Sequence, residues 1–304
     1  MNNLVPIRYI KNAEIDFEKW DACVSKASNG LIYAFSWYLD RVSKNWDALV
    51  FGDYENVMPL TFNKKWGIEY LCQPTYCQQL GIFPGAGREI ADSFLKEVKT
   101  HFRFAEINLN PQSFSGGKIP GMSEKQNFIL SLSKKYDGLE KGFSSHTARH
   151  LKKAVKNKLN VSVALDIEEY ITFKLQNQNI KAFRDSAENL RKLISFLIPG
   201  GKCKIYGVHD SGSRLCAAAI FVFTGKRVTY LNAVSSNKGR NLDAMCFLIG
   251  FFLKEHAQSN LILDFEGSMI PGVARFYSGF GAVPENYYHY RYNNLPVPFR
   301  WFKR

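Results

Sequence analysis

The sequence has no apolar run long enough to span a membrane as a helix. Its longest apolar stretch, residues 244–253, is about ten residues long, whereas roughly 20 are needed to cross a bilayer. The N-terminal residues contain neither an apolar core nor a small-residue cleavage site, so no secretory signal is predicted. We therefore expect a cytoplasmic protein.

Motifs for metal binding and for covalent catalysis are also missing. The six cysteines include no pair at the Cys-x-x-Cys spacing of zinc and redox sites, since Cys72 and Cys77 lie five residues apart. His146 and His150 lie four residues apart, but the sequence around them is basic and offers no carboxylate to complete a zinc site. No Ser-His-Asp or Cys-His arrangement stands out. We expect no metal, and a covalent mechanism has no support.

Acidic residues are scarce relative to basic ones. The 304 residues include 40 Lys plus Arg and 27 Asp plus Glu, which gives a net charge of +13. An excess of this size predicts an anionic partner, such as nucleic acid, a phosphorylated cofactor or an anionic lipid surface. The densest positive stretch, residues 146–158, contains no acid at all.

This stretch has the spacing of an amphipathic helix over about residues 144–159. The cationic face comprises Arg149, Lys152, Lys153 and Lys156. The apolar face comprises Ala148, Leu151, Val155 and Leu159. Ser144 or Ser145 can cap the helix and its lysines complement the helix dipole, so a merely solvated basic face is an equal alternative to an anion site. Its position between two similar halves of the chain favours an anion site, because clefts form between domains.

One order of elements occurs twice in the chain. A strand at 47–53 is followed by a turn, two further strands, a helix near 88–102 and another strand; the same order begins again at 204–210, with its helix near 242–256. A separation of this size corresponds to one domain. The pattern predicts an α/β protein with mixed sheets and two tandem units, which we place at residues 1–134 and 135–304.

Two glycine-containing loops precede the two repeated helices. They cover residues 85–89 and 237–241, and such loops expose backbone N–H groups that suit a pyrophosphate. Neither has the third glycine of a dinucleotide motif or the Walker lysine, and glycines at such turns often serve the backbone alone. The second loop is the better candidate because it adds cations. Its proposed binding residues are Lys238, Gly239, Arg240 and Asn241.

The last third of the chain resembles the closing part of the acyl-CoA N-acyltransferase (GNAT) fold. The strand at 263–268, the Phe-Tyr-x-x-Phe-Gly helix at 273–282 and the tyrosine-rich strand at 286–292 carry this resemblance. Residues 232–252 resemble the strand, pyrophosphate loop and helix that precede them, although only Gly239 of the usual loop is in place. Two such units joined by a basic helix are similar to the FemAB-type group, which transfers amino acids from aminoacyl-tRNA onto peptidoglycan precursors.

The resemblance implies an acyl- or aminoacyltransferase with an acyl-CoA or aminoacyl-tRNA donor and an amine acceptor, such as a cell-envelope precursor. The amine must lose a proton during attack, so a carboxylate near the acceptor is expected. Asp264 and Glu266 stand two apart at a strand end and should face the same side; Tyr277 is the candidate acid toward the leaving group. The alternatives are that the carboxylates cap the following helix or form ion pairs with Arg275 or Arg291, and that the tyrosine packs in the core.

A second class of function also remains open from the residues. The alternative is a catalytically inactive GNAT-fold module that binds nucleic acid or anionic lipid head groups, with peripheral membrane association. In both cases the partner is anionic, whether the pyrophosphate of CoA, a tRNA or a phosphorylated lipid precursor.

Overall fold

The fold is taken from a computed structural model that describes residues 6–113, 120–178, 181–267, 269–297 and 299–300. The first part of the chain contains β1 (Arg8–Ile10), α1 (Phe17–Lys26), α2 (Ser36–Val42), β2 (Asn45–Phe51), β3 (Asn56–Lys65), β4 (Ile68–Cys72), α3 (Arg88–His101), β5 (Phe104–Leu109) and β6 (Met122–Ser131). There follow α4 (Tyr136–Glu140), α5 (Ser145–Lys156), β7 (Asn160–Ser162), α6 (Ile167–Asn177), α7 (Lys181–Leu197), β8 (Cys203–His209), β9 (Leu215–Thr224) and β10 (Arg227–Ser235). The last elements are α8 (Asn237–Asn241), α9 (Ala244–His256), β11 (Ile262–Asp264), α10 (Pro271–Ser278) and β12 (Val283–Asn293).

None of the helices in these ranges is long and apolar enough to cross a membrane.

The chain forms two compact units. Unit 1 comprises Met1–Lys125 and Asn286–Arg304, and unit 2 comprises Gln126–Glu285. The strand order is β1-β2-β3-β4-β5-β12 in unit 1 and β7-β8-β9-β10-β11-β6 in unit 2. In each unit the first four strands pair antiparallel, the next pair is parallel, and the last pair is antiparallel. The predicted mixed α/β architecture with a repeated order of elements is therefore confirmed.

The unit boundaries follow strand pairing rather than a single cut in the sequence. A division after residue 134 leaves β6 in the first domain and β12 in the second. In the structure β6 pairs with β11, and Phe128 and Leu130 of β6 belong to the core of unit 2. β12 pairs with β5, and its Tyr290 lies in the core of unit 1. The physical reason is that each closing strand supplies apolar side chains to a core built by the other half of the chain.

Helix α9 forms the centre of the core of unit 2. It is apolar over most of its length, so it is buried on several sides rather than on one stripe. Phe252 stacks on Phe221 of β9 at 4.0 Å between ring centroids. On the opposite side Leu151 of α5 lies over Gly250, where an added Cβ would meet the leucine at 2.7 Å. This close approach fixes α5 against the core.

In unit 1 a loop segment occupies the space beyond the short parallel pairing of β4 and β5. β4 and β5 pair in parallel only through Leu71 and Cys72. Beyond that point the N–H of Leu80 donates to Asn108 O at 2.8 Å, and Phe83 exchanges hydrogen bonds with Val57 of β3 at 2.8 and 2.9 Å. The segment 80–83 therefore lies between β3 and β5 and occupies the position that β4 has left.

Buried Asn110 holds this segment in place. Its Nδ2 donates to Leu80 O at 3.1 Å and Ile82 O at 3.4 Å, and its Oδ1 accepts from Asn29 Nδ2 at 3.0 Å. The side chain is 1% exposed, so its partners have no water to replace it.

We expect Asn110→Ala to lower the free energy of unfolding by about 1–3 kcal/mol, because it removes the buried hydrogen bonds of this amide, including the Oδ1 that accepts from Asn29 Nδ2 and from the N–H of Gln112. Urea unfolding followed by circular dichroism measures this change. The matched control is Asn286→Ala, an exposed asparagine with a single 3.4 Å hydrogen bond to Glu124, for which we expect a change within about 0.5 kcal/mol. Equal effects of the two substitutions would contradict the role given to Asn110.

Candidate active site

An opening forms in unit 2 where two parallel strands separate. β10 and β11 pair only over Arg227–Thr229 and Ile262–Asp264. β10 then continues to Ser235 beside β9, with a bulge between Tyr230 and Asn232. Within the described ranges β9 is the one strand that pairs with this stretch of β10. The other edge of β10 therefore faces a gap, which in unit 1 is filled by the chain itself.

An aromatic cluster lies beside the end of β11. Tyr277 of α10 stacks on Phe265 at 4.7 Å between centroids and lies 6.2 Å from the ring of Tyr230. The hydroxyl of Tyr230 donates to Met245 Sδ at 3.0 Å, at the start of α9. Glu266 directly follows Phe265 and has a left-handed backbone, with φ of 57°. The chain therefore brings a carboxylate next to this cluster, where β11 ends.

Glu266 and Tyr277 are coupled electrostatically. Burial raises the pKa of the Tyr277 phenol, and the negative charge of Glu266 raises it further. The phenol therefore stays protonated at neutral pH and acts as a hydrogen-bond donor. Of the three residues predicted to be catalytic, the structure brings these two together.

Asp264 has a different role. Its side chain is 1% exposed and lies 2.5 Å from Arg227 Nη1, which also contacts Glu285 at 3.1 Å. Its other oxygen accepts the N–H of Glu266 at 2.9 Å. The expectation that Asp264 and Glu266 face the same side assumed strand alternation, which does not extend to Glu266, because β11 ends at Asp264 and Glu266 has a left-handed backbone. An ion pair with an arginine was one of the expected alternatives. The arginine is Arg227 of β10 and not Arg275 or Arg291.

The turn at residues 237–241 is packed closely on itself. It forms the short helix α8, and Ser236 Oγ accepts the N–H of Gly239 at 3.0 Å. A Cβ on Gly239 would lie 2.0 Å from Cys216 O, so the glycine is required for the approach of α8 to β9. The N–H of Gly239 is thus engaged within the protein.

The charged side chains of this turn also have local partners. Lys238 forms an ion pair with Asp210, and Arg240 Nη1 donates to Ser235 O at 2.8 Å. Asn241 is the last residue of α8, and the long helix α9 begins three residues later rather than at Asn241.

Helix α5 presents its cations to solvent. Arg149, Lys152 and Lys156 are exposed, line a shallow groove along the helix, and form no ion pair with any residue that the structure describes. Lys153 instead contacts Asp243 at 3.1 Å, just before α9. The basic groove therefore runs beside the junction of α8 and α9 in unit 2.

The sequence predicted the start of α5 correctly and one of its faces incorrectly. Ser144 Oγ accepts the N–H of Thr147 at 3.1 Å, which confirms the predicted cap. The buried face includes Thr147, Leu151 and Ala154, whereas Val155 is 61% exposed. Val155 was assigned to the apolar face because of its residue type, although residues 147, 151 and 154 fit the helical repeat.

The structure contains a buried lysine that was not predicted from the sequence. Lys174 of α6 is 6% exposed, and its Nζ donates to Asn232 Oδ1 and, at 3.2 Å, to Ala233 O. The hydroxyl of Tyr170 donates to the same Asn232 oxygen at 2.6 Å. Both donors therefore meet the bulge of β10, where an extra residue leaves backbone acceptors outside the regular ladder.

A signal for Lys174 was present in the sequence. The lysine follows Tyr170 by four residues and Ile171 by three, so it lies on the buried face of α6. A lysine on such a face is rarely buried without a polar partner.

Comparison with known proteins gives a fold but no close relative. No protein-family model matches the chain, and no curated protein sequence matches it significantly. Among solved structures it is similar to FemX, with 14% identity, a TM-score of 0.61 and coverage of 97% of this chain and 99% of that chain. A tandem GNAT protein from the clavulanic acid biosynthesis pathway has 12% identity, a TM-score of 0.54 and coverage of 96% and 99%.

The chain has a tandem GNAT fold. A conserved protein of unknown function from Bacteroides thetaiotaomicron shares it, with 9% identity, a TM-score of 0.57 and coverage of 94% of this chain and 99% of that chain. These likenesses extend over nearly the whole length of each chain, so both units take part in the tandem GNAT fold.

Lys174 gives a pH-dependent prediction. Burial lowers its pKa from 10.5 to about 8. Between these values the unfolded chain binds the proton and the folded chain does not, so stability rises with pH. Relative to Lys174→Met, the free energy of unfolding of the unchanged protein should increase by about 2 kcal/mol from pH 7 to pH 9.5.

Urea unfolding of both proteins at the two pH values measures this difference, and titrations common to both cancel. Lys254→Met, at an exposed position of α9, serves as the control and should show no such trend. A difference between the protein and Lys174→Met that stays constant with pH would contradict the assignment.

Proposed function

We propose that this chain is an acyl- or aminoacyltransferase whose donor places its reactive carbonyl in the opening of unit 2. The observation that supports it is the separation of β10 from β11 after three paired residues, with a bulge in β10 at the mouth of the gap. The corresponding position in unit 1 is occupied by residues 80–83. Among the residues that the structure describes, unit 2 therefore offers a donor the strand edge that unit 1 has closed, and likeness to tandem GNAT proteins agrees with this use of the fold.

Glu266 and Tyr277 are the proposed catalytic residues. An amine that attacks a carbonyl loses a proton, and Glu266 is the carboxylate at the opening that accepts it. The leaving group needs a proton, and the phenol of Tyr277 is kept protonated by burial and by the nearby charge. Asp264 is assigned a supporting role, since its ion pair with Arg227 fixes the ends of β10 and β11 against each other.

The groove of α5 is the proposed site for the anionic part of the donor. The α8 turn uses its glycine N–H and its cations internally, which argues against the pyrophosphate site expected at Lys238, Gly239, Arg240 and Asn241. Arg149, Lys152 and Lys156 lie on one helix face at intervals of three and four residues, about 5–6 Å apart. A row of cations favours the successive phosphates of an aminoacyl-tRNA over the compact phosphates of an acyl-CoA.

We expect the triple variant Arg149→Ala, Lys152→Ala and Lys156→Ala to bind tRNA more weakly and with a flatter salt dependence. Each lost phosphate contact lowers the slope of log K against log salt by about 0.7–0.9. Filter binding between 50 and 200 mM salt measures both quantities. The matched control removes the same charge elsewhere in unit 2, at the exposed Lys134, Lys135 and Lys254.

An equal loss of tRNA affinity in both triple variants would show that the effect comes from net charge and not from the groove of α5. Selective thermal stabilisation by acyl-CoA, without any by aminoacyl-tRNA, would overturn the choice of donor.

The catalytic assignment predicts that Glu266→Gln and Tyr277→Phe each retain donor binding and lose turnover. General acid–base groups contribute about 10²–10⁴-fold to rate, so kcat should fall within that range. The assay measures transfer to a primary amine, with the donor that stabilises the protein in a thermal-shift screen. Glu169→Gln, an exposed carboxylate of α6, is the control and should leave kcat unchanged.

The alternative function is a catalytically inactive module that binds nucleic acid or anionic lipid head groups. The observation that favours it is the burial of Asp264 in an ion pair, which removes one of the two carboxylates first considered. Donor binding without turnover in the unchanged protein, and no effect of Glu266→Gln, would support this alternative.

A further inference from the structure

Trp66 stands at the tip of the β3–β4 hairpin in unit 1 and is 59% exposed. Its φ is 51° and that of Gly67 is 78°, so both turn residues are left-handed. Asn-Gly is the favoured pair at such a turn, and a large aromatic residue with positive φ is uncommon. The turn therefore does not itself require tryptophan at this position, and more than half of the side chain is exposed to solvent.

Apolar side chains continue the exposed surface around Trp66. The ring of Phe299 lies 5.7 Å from that of Trp66, and Lys65 Nζ lies 4.5 Å from the Trp66 centroid. Val297, two residues before Phe299 in the chain, is 65% exposed. We call this surface the hairpin-tip patch; it comprises the exposed Lys65, Trp66 and Val297 and the half-buried Ile68, Tyr70 and Phe299.

The patch encloses little space. Between its side chains and Phe104 lies a cavity of about 30 Å³. A partner that covers Trp66 and Val297 would therefore contact the patch from outside.

Cations surround the patch. Lys64, Lys65 and Arg300 are exposed, and of these Lys64 has an acidic neighbour, Glu69, at 4.0 Å. Exposed aromatic and aliphatic side chains bordered by cations have the composition of a membrane-interface anchor.

We propose that the hairpin-tip patch docks unit 1 on an anionic lipid surface. Trp66, Phe299 and Val297 would enter the head-group region, where amphipathic aromatic rings are favoured. The surrounding Lys and Arg residues would be attracted by the negative surface potential. The aliphatic side chain of Val297 favours a membrane over single-stranded RNA, because bases stack on aromatic rings and gain little from an aliphatic group. This inference is independent of the proposed transferase activity.

The test is co-sedimentation with vesicles of phosphatidylcholine containing about a third phosphatidylglycerol. We expect the protein to bind these vesicles, to bind pure phosphatidylcholine weakly, and to lose binding as salt rises and screens the charges. Trp66→Asn suits the left-handed turn, so it should fold and lower the partition coefficient about tenfold. Lys64→Glu with Lys65→Glu should lower it by at least as much.

The matched control is Lys96→Glu with Lys99→Glu, at exposed positions of α3 in the same unit. This variant has the same net charge as the hairpin variant and should bind nearly as the unchanged protein does. Three outcomes would overturn the proposal. They are undiminished binding by Trp66→Asn, equal losses in the two double variants, and binding of single-stranded RNA but not of vesicles by the patch.

Discussion

The early end of parallel pairing is the constraint on which the rest of the structure depends. Two twisted parallel strands that separate leave backbone N–H and C=O groups without strand partners, and such groups must be satisfied in another way. Unit 1 satisfies them with residues 80–83 and the buried Asn110. In unit 2 the buried Lys174 donates to Ala233 O beside the bulge of β10, and the edge of β10 beyond Thr229 has no strand partner among the described residues. One fold has thus produced a closed scaffold and an open site.

Charged side chains are buried near the strand ends of unit 2. Arg227 joins Asp264 at the last paired position of β11 and reaches Glu285, just before the chain leaves unit 2. Leaving one member of such a buried pair without its partner typically costs about 3–5 kcal/mol. Lys174 works differently, since it is neutralised in part by burial and bonds to uncharged oxygens. Both devices hold strand ends in place beside the opening.

Most of the correct predictions about the fold came from local features of the sequence. The repeated element order, the Ser144 cap and the apolar helix α9 depend on neighbours within a few residues, and each is found in the structure. The exchange of β6 and β12 depends on which distant core each strand completes, so periodicity does not reveal it. For the same reason the sequence indicated an ion pair for Asp264 but not its partner, which comes from another strand.

The residues of the candidate site were chosen by residue type, and their geometry was not predicted in full. The charge of Glu266 acts on Tyr277, but the left-handed backbone of Glu266 could not be predicted from the sequence, because that conformation is rare for glutamate.

The exchange of closing strands also has a consequence for synthesis. β5 has no β12 beside it until roughly 180 residues later have been made, on the order of 10–40 s at ribosomal speed. Unit 2 is continuous and can fold first, while the edge of β5 remains exposed to aggregation on the nascent chain.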